Sequence, residues 1–225
     1  MSLHVLSNTQ FGITYDASAW LTNYGAFTPP EPRGLVVHSL ECDAVPHIAE
    51  QLSAPGGWLD TETLAPSRMT DPVSIVRTIP DGDAAGHIGG PGNMEFLGVE
   101  VSGRAAWVRG QWLDGGNAQA ALEHQARAIA GLFILFNRSY ADIRWLSIAQ
   151  LRAGTPFGMC DHNDISISGV SNTNHWDPGL GFPHDWFLPR VQFWYLSMTG
   201  GNPVPPPPPV AQGTFLQRLL GWPRT

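Results

Sequence analysis

The run Gly34-Leu35-Val36-Val37 is short, continuous and apolar, and it leads directly into His38. Its length and composition predict a buried strand. We therefore expect the imidazole of His38 to emerge at a strand edge, where a polar side chain can reach a ligand.

Similar patterns predict further strands and helices around this run. Residues 73–79 and 95–101 are expected to be strands. Apolar residues recur at three- and four-residue spacing over residues 117–137, which predicts a helix, and a second helix is expected to start within residues 182–186. Strands mixed with long helices predict an α/β layered domain.

The composition limits both the size of the core and the partners. With 225 residues, 43% of them hydrophobic, the chain can bury one sizeable core. Its formal net charge is -7 without a run of like charge, so we expect no nucleic acid partner. All 12 cationic residues are arginine, so no lysine is available for catalysis. No apolar run approaches the ~20 residues that span a bilayer, so no membrane insertion is expected.

Two further candidate metal ligands lie in the loop-rich segment 161–179. His162 stands in the sequence Asp-His-Asn-Asp-Ile-Ser, and Asp177 stands in His-Trp-Asp-Pro-Gly. With His38 they offer two neutral imidazoles and one carboxylate, a set that leaves a zinc ion net positive with one coordination position open. We expect one zinc ion per chain and a hydrolytic site.

Five motifs, taken in order along the chain, resemble the zinc N-acetylmuramoyl-L-alanine amidases of the amidase-2 and peptidoglycan-recognition-protein superfamily. The resemblance covers roughly residues 30–190, and the proline run that follows is similar to endolysins of phages that infect actinobacteria. It implies a single domain with a central twisted mixed sheet flanked by helices. The motifs are Val36-Val37-His38-Ser39, Ala85-Gly86-His87-Ile88-Gly89, Leu97-Gly98-Val99-Glu100-Val101, His162, and Trp176-Asp177-Pro178-Gly179.

The resemblance implies catalytic roles for two residues. Glu100 matches the family's catalytic glutamate, a general base that takes a proton from the attacking water. The alternative is a solvated glutamate on the outer face of its strand. His175 stands where many relatives have a lysine, and it could still donate a hydrogen bond to the oxyanion. A competing assignment makes His175 the third zinc ligand in place of Asp177.

Supporting roles are expected at three other positions. His87 resembles the family's groove histidine, which contacts substrate, although a plain turn histidine is the alternative. Asp161 or Asp164 could be the acceptor that fixes an imidazole tautomer. The remaining histidines are expected to be ordinary terminal or surface residues: His4, His47, His124 and His184.

The activity that the resemblance implies is hydrolysis of the amide bond between N-acetylmuramic acid and L-alanine in peptidoglycan, as in endolysin-type lysis of cell walls. Two alternatives stay open, a non-catalytic peptidoglycan-binding module and a cytoplasmic recycling amidase for soluble muropeptides. Residues 1–4 show no signal peptide. We therefore expect the protein to be made in the host cytoplasm and to act on the bacterial cell wall. We also expect it to be a monomer.

The catalytic domain is expected to span residues 1–200. Residues 201–225 are then a proline-rich linker and a short apolar C-terminal segment, which either docks on the core or begins a wall-binding element. Two cysteines, Cys42 and Cys160, are too few for a disulfide scaffold, so we expect reduced, largely buried thiols. A metal-adjacent role or a bridge between them stays open.

Overall fold

A six-stranded sheet lies at the centre of the computed structural model, which describes residues 11–19, 21, 24–26, 31–61, 65–154 and 156–205. The strands are β1 Tyr15–Asp16, β2 Tyr24–Ala26, β3 Gly34–Ser39, β4 Arg68–Thr70, β5 Ile75–Arg77, β6 Asp83–Ala85, β7 Phe96–Val101 and β8 Met159–Asp161. The sheet has the order β1-β5-β4-β7-β3-β8. Strands β2 and β6 pair separately as an antiparallel ribbon.

Helices of very different length surround the sheet within the described residues. They are α1 Ile48–Ser53, α2 Trp58–Thr61, α3 Arg109–Trp112, α4 Asn117–Leu135, α5 Ile148–Ala153, α6 His162–Ser168 and α7 His184–Thr199. Two short 3-10 helices, Gly90–Met94 and Tyr140–Asp142, lie in the connections. None of these helices combines the length and the apolar character that a membrane-crossing helix needs.

The sheet is mixed, since β4 and β5 are antiparallel whereas all the other neighbours are parallel. Strand β3 lies between β7 and β8, and its register places His38 opposite Glu100 and Val37 opposite Asp161. Because these three strands are parallel, their carboxyl ends meet at one edge of the sheet. That edge is where open α/β sheets bind ligands.

Two hydrophobic layers cover the two faces of the sheet. Leu35 and Val37 belong to the large cluster built with α4 and α7. Val36, which alternates with them, packs with residues of α5 and α6 such as Leu151 and Ile165. Since side chains alternate along a strand, His38 shares the face of Val36 and points toward the α6 side of the sheet.

The structure confirms the expected α/β class, with one mixed sheet and helices on both faces. The helix predicted over residues 117–137 lies at Asn117–Leu135. The helix expected to start within residues 182–186 begins at His184, with Pro183 as its N-cap residue. The strand predicted over residues 95–101 lies at Phe96–Val101.

The strand predicted over residues 73–79 is wrong in its extent, because it holds only the three residues of β5. The carboxylate of Asp71 accepts the backbone N–H groups of Val73 and Ser74, both at 2.8 Å, and so forms a turn there. This turn joins β5 to β4, a short buried strand that the sequence did not reveal.

Two other expectations differ from the structure or fall outside it. The segment after Cys160, expected to be loop-rich, contains α6, with Asp161 as its N-cap residue. Most of the proline run and the whole apolar C-terminal segment lie outside the described residues, as does His4.

Candidate metal centre

Two strand ends place His38 and Glu100 side by side. Each is the fifth residue of its strand, and the two are register partners of β3 and β7. Nδ1 of His38 lies 4.0 Å from Oε1 of Glu100. His38 is 1% exposed. The pairing of two strands therefore fixes the separation of an imidazole and a carboxyl, and such elements hold side chains more rigidly than loops do.

His162 and Asp177 complete a cluster with His38. His162 is the first residue of α6, which directly follows β8, and Asp177 lies in the loop before α7. The two oxygens of Asp177 are divided between the histidines: Oδ2 lies 3.0 Å from Nδ1 of His38, and Oδ1 lies 3.0 Å from Nδ1 of His162. The backbone N–H of Ser39 also donates to Oδ2, at 3.3 Å. The carboxylate thus bridges two imidazoles that come from different parts of the chain.

These three residues could hold a metal ion, because each offers one ligand atom and the atoms lie within 4.8 Å of one another. Burial opposes the ionisation of Asp177, but contacts with His162 and His38 outweigh it and hold its pKa well below the usual range. Burial lowers the pKa of His38, although the charge of Asp177 acts in the opposite direction. An ionised carboxylate and a neutral imidazole are the forms of these side chains that bind metal.

The other ring nitrogens of the two histidines face protein groups. Nε2 of His38 lies 3.0 Å from Nδ1 of His87, and Nε2 of His162 lies 3.1 Å from Oγ1 of Thr173. A neutral imidazole whose proton is on Nε2 has only a lone pair on Nδ1. Without a metal ion each Nδ1 can instead carry the proton and donate it to Asp177, but in the Nε2–H tautomer its lone pair faces the lone pairs of the carboxylate at 3.0 Å. A cation among these atoms removes the repulsion, so the donor set fits a metal ion.

Asp161 and Asp164, expected to support a metal-binding imidazole, lie elsewhere. Oδ2 of Asp161 lies 2.6 Å from Nε2 of His184, and Asp164 accepts the backbone N–H of Asp161 at 3.4 Å. Asp164 therefore caps the start of α6, and Asp161 forms an ion pair with His184 at the start of α7. An aspartate followed three residues later by a second acidic residue is a helix-capping signal that could have revealed this. His184, expected to be ordinary, is the partner that sequence reasoning missed.

His87, expected to contact substrate in the groove, lies behind His38. It is 7% exposed. Its Nδ1 faces His38, and its Nε2 lies 2.8 Å from the backbone oxygen of Phe96. The ring also fills the space above Gly98, where an added Cβ would lie 2.6 Å from the imidazole. The position leaves little surface for a substrate, because both nitrogens already face the protein.

The carboxyl group of Glu100 is largely buried. Oε2 is buried and makes no hydrogen bond within the part of the chain that the structure describes. Burial raises the pKa of this carboxyl well above its ordinary value, and the negative charges of Asp177 and Glu41 add to the effect. The side chain is 16% exposed, which is at odds with a solvated glutamate on an outer face. A buried carboxyl with a raised proton affinity is suited to proton transfer.

His175 lies beside the cluster rather than within it. Its ring stacks on that of His162, with centroids 4.5 Å apart and planes 6° from parallel. Its Nδ1 lies 3.7 Å from Oδ1 of Asp177, and its side chain is 61% exposed. The structure therefore brings Asp177, and not His175, together with the two buried histidines. The exposed ring is placed where it could meet a bound substrate.

The loop that carries His175 and Asp177 also displays Trp176, which the sequence had not singled out as a separate contact. Trp176 is 54% exposed. Since its two neighbours are held against the cluster, the indole between them is turned outward. The loop is clamped at Gly179, which has a φ of +88° and where an added Cβ would lie 1.9 Å from the oxygen of Ala105. Only glycine fits this position.

A cleft of about 590 Å³ opens beside α3 and the start of α4. Trp107 lines it, and the backbone oxygen of Trp107 would lie 2.0 Å from a Cβ added at Gly181. The other lining residues are polar or small: Asp43, Ala44, Gly110, Gln111, Asp114, Asn117 and Ala118. The cleft therefore combines an aromatic wall with several hydrogen-bonding side chains.

Comparison with known proteins gives matches among solved structures. No protein family model and no curated protein matches the chain. Hydrolase AmiA from Staphylococcus aureus, solved in complex with its ligand, is similar with a TM-score of 0.62 and 17% identity, over 91% of this chain and 98% of that chain. A selenomethionine derivative of AmpD is similar with a TM-score of 0.51 and 15% identity, over 75% of this chain and 90% of that chain.

A third match is the N-acetylmuramoyl-L-alanine amidase LysC from Clostridium intestinale URNW. Its TM-score is 0.42 at 14% identity, over 81% of this chain and 93% of that chain. The likenesses to AmiA and AmpD establish the fold. At such identities function has to be argued from the site itself.

Proposed function

We propose that this protein is a zinc-dependent N-acetylmuramoyl-L-alanine amidase, which hydrolyses the amide bond between N-acetylmuramic acid and L-alanine in peptidoglycan. Three candidate metal ligands and a buried carboxyl lie together at one edge of the sheet, and this arrangement supports the proposal most strongly. The ligand atoms of His38, His162 and Asp177 lie within 4.8 Å of one another, and the carboxyl of Glu100 lies 4.0 Å from His38. The order of the five amidase-2 motifs along the chain supports it.

His38, His162 and Asp177 would hold the zinc ion. Two neutral imidazoles and one carboxylate leave one position of a tetrahedral site open, as in zinc hydrolases. When bound, the ion supplies a Lewis acid for the scissile carbonyl and makes water more acidic. The Ser39 N–H at 3.3 Å holds the carboxylate of Asp177 in place for this role.

Glu100 would act as the general base and then as the general acid. Its carboxylate accepts a proton from the attacking water and passes that proton to the leaving amine of L-alanine. Among the described residues no protein group donates to Oε2, so the carboxylate keeps an unused acceptor position. Burial raises the pKa of this carboxyl above its ordinary value, and a stronger base removes a proton from water more readily.

His175 would stabilise the charge that develops on the carbonyl oxygen. An imidazole can donate one hydrogen bond to an oxyanion and, when protonated, can also carry a positive charge. The 61% exposure of its side chain and its stacking on the ring of His162 support this role. The chain has no lysine with which to perform this task.

The substrate face would include the exposed indole of Trp176 and the cleft beside Trp107. Aromatic faces and polar side chains are suited to a sugar-containing polymer, because the rings cover apolar C–H groups while the polar groups bind hydroxyls. We propose cell-wall peptidoglycan as the partner and endolysin-type lysis as the setting, with the chain acting as a monomer. The catalytic unit would be residues 1–200, with residues 201–225 as linker and apolar segment.

Metal content and activity, measured together, test the proposal. Protein purified without added metal should contain one zinc per chain and should lose its lytic activity on chelation. His38→Ala and His162→Ala should lose metal and activity together. His47→Ala is the control, because that side chain is 61% exposed and pairs only with Glu50 among the ion pairs that the structure describes. A metal content near zero, with no gain of activity on zinc addition, would favour a binding module instead.

A further inference from the structure

A chain of three hydrogen-bonding groups runs from the candidate metal ligand His38 into the core. Nε2 of His38 lies 3.0 Å from Nδ1 of His87, and Nε2 of His87 lies 2.8 Å from the backbone oxygen of Phe96. His38 is 1% exposed and His87 is 7% exposed, so water has little access to either ring. The hydrogen-bond partners within the protein therefore determine which ring nitrogen of each histidine carries the proton.

The backbone oxygen of Phe96, at one end of this hydrogen-bonded series, fixes the position of each proton in it. A backbone carbonyl can only accept a hydrogen bond, so Nε2 of His87 has to carry a proton. A buried ring without a charged partner is neutral and carries one proton only, which leaves Nδ1 of His87 as an acceptor. Nε2 of His38 then has to be the donor. The remaining nitrogen of His38, Nδ1, is left with its lone pair directed at Asp177 and the candidate metal position.

The surroundings hold His87 in this position. A single side-chain oxygen, Oδ1 of Asn93, accepts the backbone N–H groups of His87, Ile88 and Gly89 at 2.9, 2.8 and 3.0 Å. The hydroxyl of Ser171 donates to the backbone oxygen of Ile88. Gly98 leaves room for the ring, because a Cβ there would lie 2.6 Å from it. The loop is thus built to hold one imidazole at one orientation.

We propose that His87 is a positioning residue that fixes His38 in the Nε2–H tautomer and so presents the Nδ1 lone pair to the metal. This inference rests on the proposed function, and it gives His87 a role other than the substrate contact that the resemblance implies. The partner of a metal-binding histidine is usually a carboxylate, a backbone carbonyl or water. Here the partner is a second histidine. The backbone oxygen of Phe96 requires the proton on Nε2 of His87, which leaves Nδ1 of His87 as the acceptor 3.0 Å from Nε2 of His38.

Two substitutions separate the acceptor function of His87 from its donor function. In the wild-type protein Nδ1 of His87 accepts the proton of His38. In His87→Asn the side-chain oxygen Oδ1 is bonded to Cγ in the same way and can accept that proton instead. His87→Gln places an amide farther out, where it can donate to Phe96 but leaves His38 without its acceptor. Zinc affinity is measured by competition with a chromophoric chelator, and thermal unfolding in chelator reports on the fold of each variant.

We expect His87→Asn to bind zinc nearly as well as wild type and His87→Gln to bind about 10- to 100-fold more weakly, the usual cost of losing such a partner. In the wild-type protein, long-range 1H–15N spectra of labelled histidine should show His87 and His38 both protonated on Nε2. This measurement does not depend on whether a variant folds. Equal affinity of His87→Gln and wild type, or a proton on Nδ1 of His87, would overturn the inference. Wild-type protein that binds no zinc would instead refute the proposed function.

Discussion

His38 and Glu100 face each other across two parallel strands, with Nδ1 of one 4.0 Å from Oε1 of the other. The first belongs to the candidate metal cluster and the second does not. The strand register therefore fixes the distance between the candidate metal ligand and the proposed base. Because the two roles belong to different residues, substitution can separate them.

Replacing Glu100 by glutamine should keep the fold and the zinc but lower turnover by about 100-fold or more, because an amide cannot take a proton from water. The side chain keeps its size, so a change in packing is not expected. Steady-state kinetics on peptidoglycan fragments, with metal analysis of the same sample, gives the answer. Loss of zinc from Glu100→Gln would show that this carboxylate is a ligand and not the base.

The two assignments of the third ligand predict opposite metal contents. Asp177→Ala should lose zinc, since Asp177 lies 3.0 Å from Nδ1 of each buried histidine. His175→Ala should keep zinc and lower kcat by about 100-fold, the lower end of the range for removal of an oxyanion donor, because its side chain is exposed. If His175→Ala strips the metal while Asp177→Ala retains it, the site holds three histidines and the role given to His175 is wrong.

Trp176→Ala should raise KM on polymeric peptidoglycan while kcat and the unfolding temperature stay close to wild type. The indole is 54% exposed, so its removal costs little packing, and a contact made equally in ground and transition states affects KM alone. Trp58→Ala is the matched control, an indole 42% exposed at the start of α2. An unchanged KM in Trp176→Ala would remove this residue from the substrate face.

Cys42 should react slowly with iodoacetamide at pH 8. Burial raises the pKa of its thiol to about 11, and the reactive thiolate forms only as the pH approaches that value. Cys160 is buried, and burial raises its pKa as well. Mass spectrometry of native and unfolded protein compares the rates. Fast native labelling of Cys42 at pH 8, or a disulfide between the two cysteines, would contradict this expectation.

Long apolar patterns made the centre of the fold predictable. The run that ends at His38, the alternation in β7 and the 19 residues of α4 each carry enough periodicity to identify an element and its buried face. Strand β4 could not be found in this way. It has three residues and begins with Arg68, whose burial depends on a salt bridge to Asp81 that only the folded chain reveals.

Residues that act through a partner were harder to place from the sequence. The amidase-2 motifs marked His87, and zinc-site chemistry suggested Asp161 or Asp164 as a supporting acceptor, but neither pattern indicated which way these side chains face. The backbone oxygen of Phe96 determines the contacts of His87, and the N-cap of α6 determines those of Asp164. The first contact depends on tertiary structure, which motifs do not reveal because they identify only the residue type and its order along the chain. The second contact is local, between residues three apart, and the capping pattern could have revealed it.

The products released from purified peptidoglycan test the central claim most directly. Digestion by the zinc-loaded protein should release new N-terminal alanine without new reducing sugar, since the proposal assigns Asp177 to the zinc and Glu100 to the water that attacks an amide, which leaves no second carboxylate to attack a glycosidic bond. Intact sacculi should be cut at least as fast as soluble muropeptides. New reducing ends without free amines would contradict the account, and a strong preference for soluble muropeptides would point to recycling rather than lysis.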